Sequence, residues 1–297
     1  MKTLTTRQEL AAALAAERRG LVPGAPPASR RSIGFVPTMG ALHQGHVSLI
    51  EAARAADDVV VVSIFVNPLQ FGPTEDFDRY PRDLATDARV AADAGADYLF
   101  APSVAEMYPA GATATRVEVG PIGEGGEGRY RPGFFAGVAT VCVKLFSIVG
   151  PDRAYFGQKD AQQLAVIRQV VADLNLPLQI VACPTVRETD GLAVSSRNAY
   201  LDPEGRRAAP ALARALRAAQ HAAAAGEDDA AALTGIVAEA LAAEPAVRLQ
   251  YATVFDPETF AELPAVGECG AVLAAAAHVG STRLIDNVAL VVHPAAR

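Results

Sequence analysis

The chain has 297 residues, of which 51% are hydrophobic and 20% are charged, and its formal net charge is −7. This composition is typical of a soluble globular protein with one large or two moderate domains, and it excludes a disordered tail. The acidic balance argues against nonspecific binding to nucleic acid through a basic surface. The cysteines Cys142, Cys183 and Cys269 are far apart and form no Cys-x-x-Cys pair, which predicts reduced, buried thiols in a cytoplasmic protein.

The N-terminal segment predicts a helix rather than an export signal. Residues 10–16 are apolar, but Glu9 precedes them and a charged cluster follows. Thr6 and Glu9 fit a capping box, and Gly20 fits a helix stop before a loop at residues 22–29. No apolar run reaches the length that spans a membrane, so we expect no membrane partner.

Residues 33–50 predict a buried strand, a tight turn and a helix. The apolar residues expected on the inner face of the helix are Val47, Ile50 and Ala53. Gly40 and Gly45 remove side chains where an anion must approach the backbone. The first N–H groups and the dipole of such a helix favour negative charge, so this segment predicts a phosphate site.

His43 and His46 lie three residues apart, so both imidazoles can face one side of the first helical turn. Two imidazoles and free amides without a carboxylate favour a polyphosphate over a metal ion. Zinc bound by the pair is the alternative, although no third ligand lies nearby at a useful spacing. The protonation of the pair stays open, because the helix N-terminus disfavours the cation and phosphates favour it.

Strands and helices then alternate, which predicts a parallel sheet with helices on both faces. The clearest strand is the β-branched run at residues 59–66, which Asn67 and Pro68 end. Residues 69–82 follow its carboxyl end, where open α/β sheets bind ligands, and are a candidate lid. The other expected elements are strands at 97–100, 153–156 and 179–183, and helices at 83–95, 135–149 and 161–174.

The pattern of predicted elements changes near residue 186. We expect a Rossmann-like nucleotide domain over 1–185 and a smaller α+β domain over 186–297 that closes over the nucleotide site. Its expected elements are a helix opened at Ser195, alanine-rich helices over 203–243 with a break at Gly226 and a cap at Asp228, and strands at 247–255, 271–278 and 282–293. A strand at 113–119 is a candidate dimer edge.

Six motifs follow one another along nearly the whole chain. They are residues 37–46 (PTMGALHQGH), 65–71 (FVNPLQF), 80–82 (YPR), 156–160 (FGQKD), 190–198 (DGLAVSSRN) and 282–287 (TRLIDN). Together they resemble the pantoate–β-alanine ligase family, a branch of the His-x-Gly-His nucleotidyltransferase superfamily. The resemblance implies ATP-dependent joining of (R)-pantoate to β-alanine through a pantoyl adenylate, with Mg²⁺. The products would be pantothenate, AMP and pyrophosphate, and the enzyme would be a homodimer.

The resemblance also implies the site residues. The catalytic group is His43, His46, Lys159 and Arg197. The ATP-binding group adds Pro37, Thr38, Met39, Gly40, Gly45, Gly157, Asp160, Val186, Val194, Ser195 and Ser196. The pantoate and β-alanine group is Asn67, Gln70 and Gln163. Asp87 is the Mg²⁺ candidate, with a solvated helix carboxylate as the alternative.

The residue types suit this chemistry. Lys159 supplies a compact charge and Arg197 a planar fork for two phosphate oxygens. Neutral amides at Gln70 and Gln163 hold pantoate without an ion pair that would weaken the attacking carboxylate. Asp160 suits a ribose hydroxyl or a helix cap.

The sequence departs from the family pattern at two positions. Val194 stands where the family usually has Met, and it can serve if the contact to the adenine there is made by the backbone. Phe134 stands where the family usually has His, so no polar contact is assigned to it.

Other functions explain fewer of these residues. A nucleotidyltransferase for a phosphorylated substrate would need more cations near Gln70 and Gln163. An aminoacyl-tRNA synthetase would need a basic RNA-binding face. A non-catalytic metal- or nucleotide-binding protein explains the histidines but not Lys159. A serine hydrolase is set aside because Ser195 lacks a Gly-x-Ser-x-Gly motif.

Overall fold

The computed structural model describes residues 1–19, 31–73, 75–111 and 115–292. The β-strands are β1 (Lys2–Leu4), β2 (Ile33–Thr38), β3 (Val59–Ile64), β4 (Tyr98–Phe100), β5 (Arg153–Gly157), β6 (Gln179–Cys183), β7 (Val247–Phe255), β8 (Ala271–Val279) and β9 (Thr282–Leu290). The α-helices are α1 (Arg7–Arg19), α2 (Gln44–Ala56), α3 (Leu84–Asp93), α4 (Val104–Met107), α5 (Glu127–Tyr130), α6 (Phe134–Val149), α7 (Ala161–Asp173), α8 (Pro203–Ala208), α9 (Pro210–Ala224) and α10 (Ala230–Ala242). Short 3-10 helices include Pro68–Gln70, Phe77–Arg79, Gln158–Asp160 and Ser196–Tyr200. Within these ranges no helix combines the length and the apolar character that crossing a membrane requires.

The chain divides into two compact units. The first contains Met1–Val119, Arg131–Gly157 and Val166–Cys183, and the second contains Gly120–Tyr130, Gln158–Ala165 and Pro184–Arg297. The second unit thus takes two short segments that are surrounded in sequence by segments of the first unit. The predicted domain limits, 1–185 and 186–297, stay a prediction.

A parallel sheet of six strands, in the order β1-β4-β3-β2-β5-β6, forms the first unit. Strand β2 pairs with β3 from Ile33↔Val59 to Thr38↔Ile64, and with β5 on its other side. The strand order reverses between β2 and β5, and such a reversal places a ligand-binding crevice at the carboxyl ends of the two strands. The predicted phosphate turn leaves the sheet at this point, directly after β2.

Helices cover both faces of this sheet, as predicted. Phe35 and Val36 are neighbours on β2, so their side chains point to opposite faces. Val36 packs with Ile50 of α2 in one buried cluster. The ring of Phe35 meets that of Phe146, on α6, with 6.4 Å between centroids. The predicted parallel sheet with helices on both faces is therefore confirmed.

The second unit contains an antiparallel sheet in the order β7-β8-β9, with α9 and α10 packed on it. The apolar residues that recur at helical spacing in the alanine-rich region are all buried in one cluster: Leu212, Leu216, Leu233, Val237 and Leu241. The three predicted strands are present, and the smaller α+β unit is confirmed. Gly226 has a φ of 111° and lies between the two helices.

Several details differ from the sequence predictions. The edge strand β1 was not predicted, because three residues are too few to show alternation. The cap of α10 is Asp229, whose side chain accepts the Ala232 N–H, rather than Asp228. Residues 115–119 form no strand, so that part of the predicted strand at 113–119 is wrong, and residues 112–114 lie outside the described residues. The predicted helix stop at Gly20 and the loop at 22–29 also lie outside them.

The helix α2 also differs in its inner face, where Leu49 is buried and Val47 is only half-buried. The predicted helix at Ser195 is a 3-10 helix over Ser196–Tyr200.

The structure describes all three cysteines, and none is in a disulfide. Cys142 on α6 and Cys183 at the end of β6 are buried, as predicted, whereas Cys269 between β7 and β8 is exposed. Burial raises the pKa of Cys142 to about 12 and also raises the pKa of Cys183.

Candidate functional site

The turn after β2 has a strained backbone that neighbouring groups hold in place. The Thr38 hydroxyl donates to the Ser63 carbonyl at 2.7 Å and accepts the Gly40 N–H at 3.1 Å. Gly40 and Ala41 have positive φ values of 88° and 52°. This conformation is easy for glycine but costs free energy for alanine, so other contacts must maintain it.

Asp87 on α3 provides those contacts. Its side chain is 3% exposed, and its two oxygens accept the N–H groups of Ala41 at 2.9 Å and Leu42 at 2.7 Å. A Cβ added to Gly40 would lie 2.9 Å from Oδ2 of Asp87, which is a second reason for glycine there. Each oxygen thus accepts one backbone N–H, and Asp87 holds the main chain of the turn. The sequence assigned Asp87 by residue type, without knowing which backbone groups face it.

The two histidines cap the start of α2. Nδ1 of His43 accepts the Gly45 N–H at 3.1 Å, and Nδ1 of His46 accepts the N–H of His43 at 3.3 Å. The two rings are stacked, with centroids 4.1 Å apart. An Nδ1 that accepts a hydrogen bond carries no proton, so each neutral imidazole has its proton on Nε2.

These caps change the predicted phosphate site. The first N–H groups of the helix were expected to favour an anion, but the Gly45 N–H has an acceptor within the protein, as do the N–H groups of residues 41, 42 and 43 in the turn. These four amides therefore bind within the protein rather than to an anion. Sequence reasoning missed this because a histidine cap and a histidine ligand have the same residue pattern.

Asn67, Gln70 and Met39 are brought together in the first unit. The Asn67 side-chain amide donates to Oε1 of Gln70 at 2.9 Å, and Nε2 of Gln70 contacts Sδ of Met39 at 3.2 Å. Oδ1 of Asn67 accepts the Tyr108 hydroxyl at 2.8 Å. Asn67 is 1% exposed and Gln70 is 9% exposed. Asn67 therefore fixes the orientation of Gln70.

Two residues that the sequence did not single out complete this arrangement. The hydroxyl of Tyr108 is buried with Asn67, and burial raises its pKa above the ordinary tyrosine value. Gly137 on α6 lies against the turn that carries Gln70, because a Cβ there would be 2.2 Å from the Leu69 carbonyl oxygen. The Gly137 carbonyl also accepts the Asn67 amide at 3.1 Å. Neither contact has a local sequence signal.

The ring of Phe134, at a position where the family usually has His, packs against the side chain of Arg131. The guanidinium of Arg131 lies 3.6 Å above the centre of the Phe134 ring. Arg131 makes two bonds of 2.7 Å to the Glu75 carboxylate and one of 3.3 Å to the Gln70 carbonyl. The Phe134 ring thus stacks against the guanidinium of Arg131. Arg131 in turn bonds to Glu75, which belongs to the candidate lid at residues 69–82.

The candidate lid borders a cleft in the first unit. The cleft has a volume of about 280 Å³, and its lining includes Met39, Phe77, Pro81, Arg82 and Asp87. Met39 and Asp87 belong to the predicted site, while the other three belong to residues 69–82.

In the second unit, Lys159 and Asp160 lie in the 3-10 helix that precedes α7. Lys159 Nζ is 3.8 Å from the Asp160 carboxylate, and its side chain is 19% exposed. Gln163 is half-buried on α7. Its neighbour Gln162 is buried and holds backbone groups, accepting the Glu127 N–H at 2.8 Å and donating to the carbonyls of Ile122 and Gly125. Gly157, at the end of β5, belongs to the first unit.

The segment from Val186 to Arg197 forms a second arrangement in this unit. The Val194 N–H donates to the Val186 carbonyl at 3.0 Å, so these two predicted ATP contacts are paired with each other. The Ser195 hydroxyl oxygen accepts the Arg197 N–H at 3.3 Å and caps the 3-10 helix. Ser195 is therefore a cap in this structure.

Similar proteins of known family indicate which chemistry these arrangements serve. A family model described as pantoate-beta-alanine ligase matches residues 2–289. The chain belongs to this family. It is 58% identical over 267 residues to the pantothenate synthetase of Acidobacterium capsulatum, covering 90% of this chain and 88% of that protein. It is 51% identical to that of a Roseiflexus species, covering 98% and 99%.

Solved structures of pantothenate synthetases agree with the fold. That from Thermus thermophilus is 49% identical, has a TM-score of 0.87, and matches over 97% of this chain and 99% of that chain. The pantoate-β-alanine ligase from Francisella tularensis is 34% identical, with a TM-score of 0.77 over 97% of each chain, and it is described as complexed with β-γ ATP and β-alanine. As a family member this chain is an acid–amine ligase that forms pantothenate.

Proposed function

We propose that this ligase condenses (R)-pantoate with β-alanine at the expense of ATP, through an enzyme-bound pantoyl adenylate. Family membership supports pantothenate as the product. The observation that carries the ATP-dependent route is the complex of the Francisella tularensis enzyme with β-γ ATP and β-alanine.

The chemistry has two steps. A pantoate carboxylate oxygen attacks the α-phosphorus of ATP, the bond to the bridging oxygen breaks, and pyrophosphate leaves. The β-alanine amine then attacks the acyl carbon of pantoyl adenylate, AMP leaves, and the amine loses a proton. Positioning and the neutralisation of developing charge account for most of the catalysis in phosphoryl-type transfer.

His43 and His46 bind phosphate oxygens in this proposal. Their position supports the role, because both rings lie at the N-terminus of α2, where the helix dipole favours negative charge. His46 also serves as the proton donor, a role implied by the family resemblance.

Cations and hydroxyls supply the remaining nucleotide contacts. Lys159 and Arg197 bind phosphate oxygens, Ser195 and Ser196 donate to them, and Asp160 binds a ribose hydroxyl. The other proposed ATP contacts are Pro37, Thr38, Met39, Gly40, Gly45, Gly157, Val186 and Val194.

Gln70 and Gln163 bind pantoate through neutral amides. Asn67 acts differently from the sequence expectation, because its amide already donates to Gln70 and to the Gly137 carbonyl and its Oδ1 accepts the Tyr108 hydroxyl. It orients Gln70 instead of contacting the substrate.

When bound together with ATP, Mg²⁺ would neutralise phosphate charge. It keeps several waters and needs few protein ligands. In the described ranges no group of three or more His, Cys, Asp or Glu residues is arranged to hold a metal ion, and each oxygen of Asp87 accepts one backbone N–H of the turn. No protein ligand for Mg²⁺ is therefore proposed.

Residues 69–82 cover the adenylate and exclude water until the amine arrives. Deleting part of this segment should increase pantoate-dependent AMP formation without pantothenate, and unchanged coupling would contradict the proposal.

A single-turnover experiment tests the reaction. The enzyme is mixed with ATP, Mg²⁺ and (R)-pantoate, and pyrophosphate is measured before and after β-alanine is added. A burst equal to the enzyme concentration, which becomes continuous with β-alanine, is expected. (S)-pantoate is the matched control and should give no burst. Continuous pyrophosphate release that needs no pantoate, or no release at all, would refute the adenylate route.

The enzyme is further proposed to be a cytoplasmic homodimer, as the family resemblance implies. Sedimentation equilibrium checks the assembly, and a mass equal to one chain would refute it.

A further inference from the structure

The motif at residues 282–287 has no role in the reaction proposed above, yet it holds other segments of the second unit. It forms the first part of β9, whose register against β8 is continuous from Thr282↔Val279 to Leu290↔Ala271. This ladder, together with the buried apolar side chains Leu284, Val288 and Leu290, fixes the position of the strand. The polar side chains of the motif are therefore available for other contacts.

Asn287 contacts the turn that carries Lys159. Its side-chain amide Nδ2 donates to the Gln158 carbonyl at 3.0 Å and to the Lys159 carbonyl at 2.8 Å. The two carbonyls are consecutive and belong to the 3-10 helix Gln158–Asp160. One amide group with two donors thus holds the main chain on both sides of the Lys159 α-carbon.

Asp286, the preceding residue, braces a second segment. Its carboxylate is 3% exposed and makes two bonds to Arg187, at 2.6 Å and 2.9 Å. Arg187 also donates to the Gly191 carbonyl at 3.1 Å, within the loop that leads to Ser195. Adjacent residues of β9 therefore anchor two loops that carry proposed nucleotide contacts.

We infer that Asn287 is a positioning residue for Lys159: by holding the carbonyls of residues 158 and 159, it sets the point from which the lysine ammonium reaches the nucleotide phosphates. This inference rests on the proposed ATP-binding role of Lys159. A long flexible side chain has a defined reach only if its backbone is fixed. Removing the amide leaves two carbonyls without their donor and allows the turn to relax.

A double-mutant cycle on ATP affinity tests the inference. ATP and Mg²⁺ are titrated, without pantoate, into the wild type, N287A, K159A and N287A/K159A. Loss of two hydrogen bonds of ordinary strength predicts about a tenfold weaker ATP affinity for N287A. If Asn287 acts through Lys159, the double variant binds ATP no more weakly than K159A.

The control variant is Q220A. The Gln220 amide on α9 donates to the Ala289 carbonyl of the same strand at 2.7 Å, away from the turn. Its removal should leave ATP affinity within twofold of the wild type. N287D is a second variant of position 287 that keeps the side-chain size and removes both donors, and it should lose as much affinity as N287A.

The outcomes distinguish a failure of the positioning role from a failure of the proposed function. Wild-type affinity in both N287A and N287D, or multiplied losses in the double variant, would overturn the positioning role alone. Equal losses in Q220A would show a general effect of loosening β9 and would also overturn it. A wild type that does not bind ATP would overturn the proposed function together with this inference.

Discussion

Gly45 lies directly against the imidazole of His43. A Cβ added to Gly45 would be 2.9 Å from Cε1 and 3.0 Å from Nδ1 of that ring. Glycine at this position therefore allows the histidine to fold back and cap its own helix. The glycine of the His-x-Gly-His pattern thus makes room for the ring of His43.

The variant G45A tests this relationship. The added methyl displaces the His43 ring, and the loss of one cap costs about 1 kcal/mol of stability. A displacement of about 1 Å at a site of phosphoryl transfer can cost about 100-fold in kcat/KM. Urea unfolding and steady-state kinetics measure the two effects.

The matched control for G45A is G235A. Gly235 is inside α10, and nothing lies within 4 Å of an added Cβ there. Because alanine favours a helix over glycine by about 1 kcal/mol, this variant should be more stable and fully active. Wild-type activity in G45A would contradict the role of Gly45.

The variant D87N distinguishes two roles of Asp87, which are to hold the backbone of the turn and to bind a metal ion. An asparagine has one acceptor oxygen, so one of the N–H groups of Ala41 and Leu42 would face an NH₂ group. We expect a loss of about 1–3 kcal/mol in the free energy of unfolding and a raised KM for ATP. D83N, on the same helix, retains the N-cap and should have little effect. Restoration of activity by excess Mg²⁺ would instead favour a metal ligand.

The variant G137A should weaken the binding of pantoate. Its Cβ would meet the backbone of Leu69 and Gln70 at 2.2 Å and 2.8 Å, so either α6 or the turn must move. Overpacking of this kind costs about 1–3 kcal/mol. We expect the KM for pantoate to rise more than the KM for ATP. Equal changes in both, or none, would argue against a role of α6 in placing Gln70.

His278 should make stability depend on pH. On β8 it lies between Arg248 and Arg283 in the strand register. Burial, then these two charges, lower its pKa below the ordinary value of 6.5. Below about pH 6.5 the unfolded chain therefore binds a proton that the folded chain does not, and the free energy of unfolding falls as the pH decreases.

Urea unfolding of the wild type and H278Q over a pH series checks this prediction. The variant should lose part of the decrease in stability below pH 6.5 and match the wild type in slope above it. Parallel pH profiles for the two proteins would contradict it.

The sheet could be predicted from sequence because its signals are local. The valines of β3 form a continuous β-branched run, and all four are fully buried. The helices α9 and α10 show leucines at helical spacing. In contrast, β1 consists of three residues that pair with β4, a strand that lies more than 90 positions away. Nothing within such a short segment indicates its partner.

The site was predictable in residue identity but not in arrangement. The sequence singled out His43 and His46, but their capping bonds require coordinates. Asp87 was chosen for its charge, whereas its partners are main-chain groups that every sequence contains. Gly137 and Asn287 act on backbone atoms more than 60 positions away, and no spacing rule reveals such contacts.

The distribution of the cysteines has a practical consequence. Because Cys142 and Cys183 are buried and burial raises their thiol pKa values, alkylating reagents should react slowly with them in the folded protein. Cys269 is exposed on the second unit. The natural sequence therefore offers a one-position handle for a maleimide dye, and fluorescence from that unit can be followed without removing any other thiol.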